Sequence, residues 1–168
     1  MIRIKDLQFS YGSNVVLKDI SLNLEEGRIY GLLGENGVGK TTLLTLLAGL
    51  KKADLGSIDI DGRNPYDRQP SLLSSIYYLP DEVPAPRRPA IGFAVDKGQY
   101  WEKFSVSKFS EIMKVFDNYE NQRMDRMSYG QLKKTMISFA LATNARYMFM
   151  DEPTNGLDIL SKAQFRKA

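Results

Sequence analysis

The sequence predicts an α/β fold with a mainly parallel sheet covered by helices on both sides, and three observations carry that prediction. Ile20, Leu22 and Leu24 alternate with Asp19, Ser21, Asn23 and Glu25, the period of a half-buried strand. The run Ile29-Tyr30-Gly31-Leu32-Leu33 is apolar on both faces, as expected of a buried parallel strand, and leads through a glycine-rich loop into a helical pattern. A second apolar strand, Tyr147–Met150, follows another helical stretch and ends in Asp151 and Glu152. A chain of 168 residues, 43% apolar and 26% charged, can build one real core, burying roughly 70% of the surface its unfolded form exposes.

The elements follow in order. Ile2 with Ile4 and Leu7 with Phe9 read as strand, and Tyr11-Gly12-Ser13-Asn14 is a turn to the next strand, so a hairpin-like sheet opens the chain. Leu43, Leu46, Leu47 and Leu50 share one face of the helix after the glycine-rich loop, with Gly49 near its end. Residues 57–61 and 76–79 read as short strands. Four of the seven prolines, Pro80, Pro84, Pro86 and Pro89, mark a loop or hinge over residues 80–89, because proline lacks a backbone donor and favours extended backbone. Val106, Phe109, Ile112, Met113 and Phe116 recur at helical spacing and are expected in the core. Ser128 then opens a helix running to about Thr143.

Composition removes whole classes of chemistry. Without cysteine there is no disulfide framework, thiolate metal site or cysteine nucleophile; without histidine there is no zinc-hydrolase cluster and no Ser-His-Asp triad. Catalysis must use carboxylates, lysine, hydroxyls and a hard metal. The net charge is +3, with 23 basic residues interleaved among 20 acidic ones. Only residues 121–150 lean basic, through Arg123, Arg126, Lys133, Lys134 and Arg146, and this reads as a solvated face rather than a nucleic-acid groove. The N-terminus has no signal-peptide pattern, and the most hydrophobic stretch, residues 43–50, falls far short of the ~20 residues that cross a bilayer. A soluble, cytoplasmic protein is expected.

Three motifs carry chemistry. Gly34-Glu35-Asn36-Gly37-Val38-Gly39-Lys40-Thr41 matches the pattern G-x-x-x-x-G-K-[ST], whose chance frequency is on the order of 10⁻⁵–10⁻⁴ per start position. Its glycines let successive N–H groups converge on phosphate oxygens, the following helix adds its positive end, Lys40 brings a point charge to the outer phosphates, and the Thr41 hydroxyl can ligate Mg²⁺. Asp151 and Glu152 end an apolar strand, where ligands gather in open α/β sheets; Asp151 would hold Mg²⁺ or its water, and Glu152 would take the proton of an attacking water. Ser128 and Gln131 form an S-x-x-Q capping box, with Met127 and Leu132 placed for a hydrophobic staple; the same helix start can also hold an anion.

This order of motifs, completed by Asp151-Glu152-Pro153-Thr154-Asn155-Gly156-Leu157-Asp158, resembles the ATP-binding subunit of an ABC transporter, from the N-terminus to about Asp158. The resemblance implies a P-loop NTPase core with a mainly parallel sheet, an N-terminal antiparallel β subdomain and an inserted helical subdomain. One domain would span 1–168, its core and β subdomain from 1–80 and 140–168 and its helical subdomain from about 81–139. It implies Glu152 as the catalytic base, aided by Lys40. ATP would be held by Gly34, Asn36, Gly37, Gly39, Lys40, Thr41 and Thr42, and Tyr11 would stack on adenine, a contact worth roughly 1–3 kcal/mol. Ser128, Gly130 and Gln131 would contact the γ-phosphate of ATP held by a second subunit, and Asn155 to Asp158 would link the two sites. Mg²⁺ would be held by Thr41, Asp151 and Asp81. The implied partners are a second ATP-binding subunit, in a homodimer or heterodimer, and a membrane-spanning subunit contacted through residues 80–121, with no nucleic acid; the implied location is the inner face of the cell membrane.

Three departures from the family stand out. Tyr129 replaces the first signature glycine. Asp81 stands where the family has a glutamine, and its charge would repel a γ-phosphate. The family's switch histidine should lie beyond Asp158, where only ten residues remain, so a fragment of a longer polypeptide is expected. Two rivals accompany this reading. A soluble ABC-type ATPase acting on ribosomes or DNA predicts a tandem cassette or a basic face, and a non-hydrolysing nucleotide-binding module would fit Asp81.

Overall fold

The computed structural model describes residues 1–165, in two compact units, the first Met1–Ile76 and the second from Tyr77 onward. In the first unit, β1 (Ile2–Tyr11), β2 (Asn14–Leu24) and β3 (Leu55–Ile60) form an antiparallel sheet of order β2-β1-β3. Ile2 pairs with Leu24 and Ile60, and Ile4 with Leu22 and Ile58, so one apolar face runs across three strands. Ile4 and Leu7 are three residues apart and would face opposite sides of a regular strand. A register shift at Asp6, with φ 48°, inserts the extra residue that returns Leu7 and Phe9 to the buried face. Asp6 N–H donates to Ser21 Oγ at 2.8 Å, and Ser21 Oγ–H donates back to Asp6 Oδ1 at 3.2 Å, which ties the bulge to β2.

The hairpin turn, the alternation in β2 and the strands at 57–61 and 76–79 agree with the sequence reading. α1 (Lys40–Leu47) buries Thr42, Leu43, Leu46 and Leu47. Leu50 was expected on this face but is 52% exposed, because Gly49 at φ 69° turns the chain away after the helix. A second difference concerns residues 29–33, expected as a buried strand. They form no strand, and Ile29 and Leu33 are almost wholly exposed. A strand apolar on both faces is stable only when its edges are paired and its faces covered, and among the described residues no strand pairs with this one. The short α2 (Pro70–Leu73) closes the unit.

β4 (Ile76–Leu79), which lies in the second unit from Tyr77 on, and β5 (Tyr147–Met150) form a two-stranded parallel sheet. Between them run the irregular residues 80–88, α3 (Ala90–Gly98), α4 (Val106–Val115) and α5 (Tyr129–Ala142); α6 (Ile159–Phe165) follows. Proline explains why 80–88 stay irregular, since each ring removes one ladder or helix donor. Phe139 of α5 anchors the core: its ring lies 5.1–5.7 Å from those of Tyr77, Phe93, Trp101 and Phe104. Phe109, Ile112, Met113 and Phe116 are buried as their spacing predicts, whereas Val106, expected with them, is 40% exposed in the first turn of α4. The Asn118 side-chain amide then crosslinks α4 to α5 by donating to Gln131 O and Thr135 Oγ1, both at 2.9 Å.

Candidate functional site

The first unit carries the phosphate loop. Gly37 at φ 86° and Gly39 at φ 101° occupy backbone conformations that L side chains resist. Gly39 is also forced by space: a Cβ there would lie 2.8 Å from Leu17 Cδ2 and 2.9 Å from Val16 Cγ1 of β2. It is the N-cap of α1, no side chain caps that helix, and no acidic residue occupies its first turn. Its positive end is therefore open to an anion. Lys40 Nζ donates to the carbonyls of Gly34 and Glu35, both at 2.8 Å, folding the loop onto its own ammonium. Thr41 is exposed and Thr42 buried, with Thr42 Oγ1 3.4 Å from Tyr11 Oη. The Tyr11 ring stands edge-on to Phe9 at 4.9 Å and half-exposed, with Lys51 Nζ 4.9 Å from its centroid. Lys51 escaped the sequence reading, and no motif marks it.

The second unit carries the acidic and signature residues. Asp151 is buried, and its N–H donates to Leu79 O at 2.8 Å, extending the β4–β5 pairing by one residue. Glu152 is exposed at φ 44°, a strained conformation for a non-glycine residue. Ser128 caps α5: Gln131 N–H donates to Ser128 Oγ at 3.2 Å, and Ser128 N–H donates to Gln131 Oε1 at 2.9 Å. The anion-site reading of this helix start thus coexists with a complete capping box. Gly130 faces Gly156 O, 3.1 Å from where a Cβ would stand.

Asp81 gathers more partners than the sequence suggested. Its Oδ1 accepts from Tyr129 Oη, Lys133 Nζ and Asn155 Nδ2, each at 3.2 Å. Desolvation works to raise its pKa, but the bonds from Asn155, Lys133 and Tyr129 and the Lys133 charge outweigh it, holding the carboxyl below its usual range. Lys133 corrects the solvated-face reading of residues 121–150, because its side chain is fully buried. The missed signal was its place in the apolar stripe of α5, with Met136 and Ile137 three and four residues on.

Asp158 is the N-terminal anchor of α6. Ser161 N–H donates to Oδ1 at 2.7 Å, Ser161 Oγ–H to Oδ2 at 2.9 Å, and Lys134 Nζ stands 3.3 Å from Oδ2. The backbone bond, then the Ser161 hydroxyl and Lys134, lower its pKa to about 2. A depressed carboxylate adds stability above its unfolded pKa of about 3.9 and loses it as pH falls toward 2. Asp158→Ala is expected to lower the melting temperature at neutral pH, with the gap to wild type narrowing steadily between about pH 4 and 2. A gap independent of pH in thermal scans contradicts this assignment.

The chain is 33% identical over 163 residues to the ABC transporter ATP-binding protein YtrB of Bacillus subtilis, covering 96% of this chain and 56% of that protein, so it spans about half the length of this curated relative. Its fold matches an ATP-binding subunit of an ABC transporter with a TM-score of 0.85 at 22% identity, over 99% of this chain and 72% of that one. It also matches an ATP-binding cassette solved as a dimer in a post-hydrolysis state with ADP and Pi, with a TM-score of 0.81 at 21% identity, over 99% and 80% of the two chains. The ABC transporter family model covers residues 17–155, from within β2 through the phosphate loop, the capped helix and the Asp151-Glu152 strand end, and the chain belongs to that family.

Proposed function

We propose that this chain binds ATP and hydrolyses it to drive a membrane-spanning partner subunit, working as a dimer of ATP-binding subunits at the inner face of the membrane. The observation that carries the reading is the phosphate loop: two positive-φ glycines, one ammonium and a helix start without a side-chain cap make a cradle for a polyphosphate. Gly34, Asn36, Gly37, Gly39, Lys40 and Thr42 hold the phosphates, and Tyr11 offers a half-exposed ring to the adenine. The Thr41 hydroxyl and Asp151 carboxylate are hard oxygen donors that fit Mg²⁺, which would neutralise phosphate charge when bound. Glu152 accepts the proton of the attacking water. Ser128, Gly130 and Gln131 present a capped helix start to the γ-phosphate of a second subunit. Among the described residues no helix is long and apolar enough to cross a membrane, which fits a separate spanning partner. The core residues 1–80 and 140–168 would do the chemistry, and residues 80–121 would meet that partner.

The test is phosphate release from MgATP by the purified protein across a range of protein concentrations. ATP binding with specific activity that rises with concentration is the expected result, because each site needs two subunits. Absence of binding refutes the cradle, binding without phosphate release refutes hydrolysis, and a monomeric mass at concentrations where specific activity is full refutes the dimer.

A further inference from the structure

The ion pair of Asp81 with Lys133 is used by neither the phosphate loop nor the proposed base. Lys133 Nζ donates to Asp81 O at 2.8 Å, Asp81 Oδ1 at 3.2 Å and Pro80 O at 3.4 Å, so its three N–H donors all point at one short stretch of chain. An ammonium with no exposed side-chain surface is tolerated only when paired and hydrogen-bonded, and Asp81 supplies the charge. Tyr129, the residue that departs from the signature, joins them: its hydroxyl lies 3.0 Å from Asp81 O and 3.2 Å from Oδ1. The Tyr129 ring presses so closely on Gly156 that a Cβ there would stand 2.4 Å from ring Cε1. Asn155 completes the cluster through Asp81 Oδ1. One carboxylate therefore ties together the segment after β4, the first turns of α5 and the loop after β5.

We infer that Lys133 is a positioning residue for Asp81, and that the pair occupies as one neutral unit the place where the family carries an uncharged glutamine. The inference rests on the proposed ATP chemistry. Paired with Lys133, the carboxylate brings no net charge to its surroundings, and its hydrogen bonds hold the three segments in one arrangement. The two departures, Asp81 and Tyr129, then belong to a single device rather than two defects.

A double-mutant cycle of Lys133→Met, Asp81→Asn and both together tests this, with steady-state ATPase kinetics taken well below every melting temperature and thermal unfolding measured without nucleotide. Lys133→Met should lower kcat about 10–100-fold while the dissociation constant for ATP stays within about threefold, because binding is carried by the first unit. Adding Asp81→Asn should restore kcat by about fivefold or more, since it removes the unpaired charge. Each single change should lower the melting temperature by about 5–10 °C, and the double by less than the sum. An unchanged kcat in Lys133→Met, or no recovery in the double variant, overturns the positioning role even if stability recovers. If the wild-type protein releases no phosphate, the proposed function fails on its own; the pair is then judged by unfolding alone, where additive losses overturn it and non-additive losses support it.

Discussion

Glu152→Gln is expected to bind ATP as tightly as wild type and to hydrolyse it about 10²–10⁴ times more slowly, the usual loss when general-base catalysis is removed. Glu152 follows the last residue of the β5 pairing, Asp151, and sits at φ 44° with its side chain exposed. That conformation costs on the order of 1–3 kcal/mol and must be imposed by its surroundings. Asn155 N–H donates to Glu152 O at 3.0 Å, closing a tight turn that holds this backbone conformation. Glutamine keeps the Cβ, the chain length and one acceptor oxygen, so it meets the same backbone demand. It cannot take a proton at neutral pH. Loss of turnover with intact binding therefore isolates proton acceptance from positioning. Pre-steady-state mixing with labelled ATP reads both at once, and a variant that turns over at the wild-type rate removes Glu152 from the role.

Patterning made most of this fold legible, because the strongest signals are local. The capped start of α5 at Ser128 needs only an S-x-x-Q spacing, and the structure places both reciprocal bonds there. The phosphate loop is equally local, since its glycines are demanded by the backbone and, at Gly39, by contact with Val16 and Leu17. What failed was information that lives in pairing. Residues 29–33 have the composition of a buried strand, but composition cannot supply the neighbouring edges such a strand needs. Lys133 was hidden for a related reason: a lysine reads as solvated until its partner is known, and Asp81 lies 52 residues earlier. A separation of 48 residues likewise concealed the link between Tyr129 and Asp81, which in the sequence are two separate departures from a family pattern.

Lys40→Ala is expected to weaken ATP binding by about 10²–10³-fold, and the loss should depend on how many phosphates the ligand carries. An ammonium about 4 Å from a phosphate charge contributes on the order of 4 kcal/mol at an effective dielectric near 20, and each 1.4 kcal/mol is a factor of ten in affinity. Lys40 has a second task in the structure. Its Nζ holds the Gly34 and Glu35 carbonyls, so the alanine variant also loses the two bonds that shape the loop. The two contributions separate by ligand. If the charge dominates, affinity for ATP should fall far more than affinity for AMP, because only the outer phosphates meet the ammonium. If loop shape dominates, both nucleotides should weaken together. Alanine is the strongest helix former, so α1 should keep its first turn and the melting temperature should shift little. Calorimetric titration with ATP, ADP and AMP decides the matter. A graded loss across the three assigns Lys40 to the outer phosphates, and unchanged ATP affinity in a folded variant would take the nucleotide away from this loop altogether.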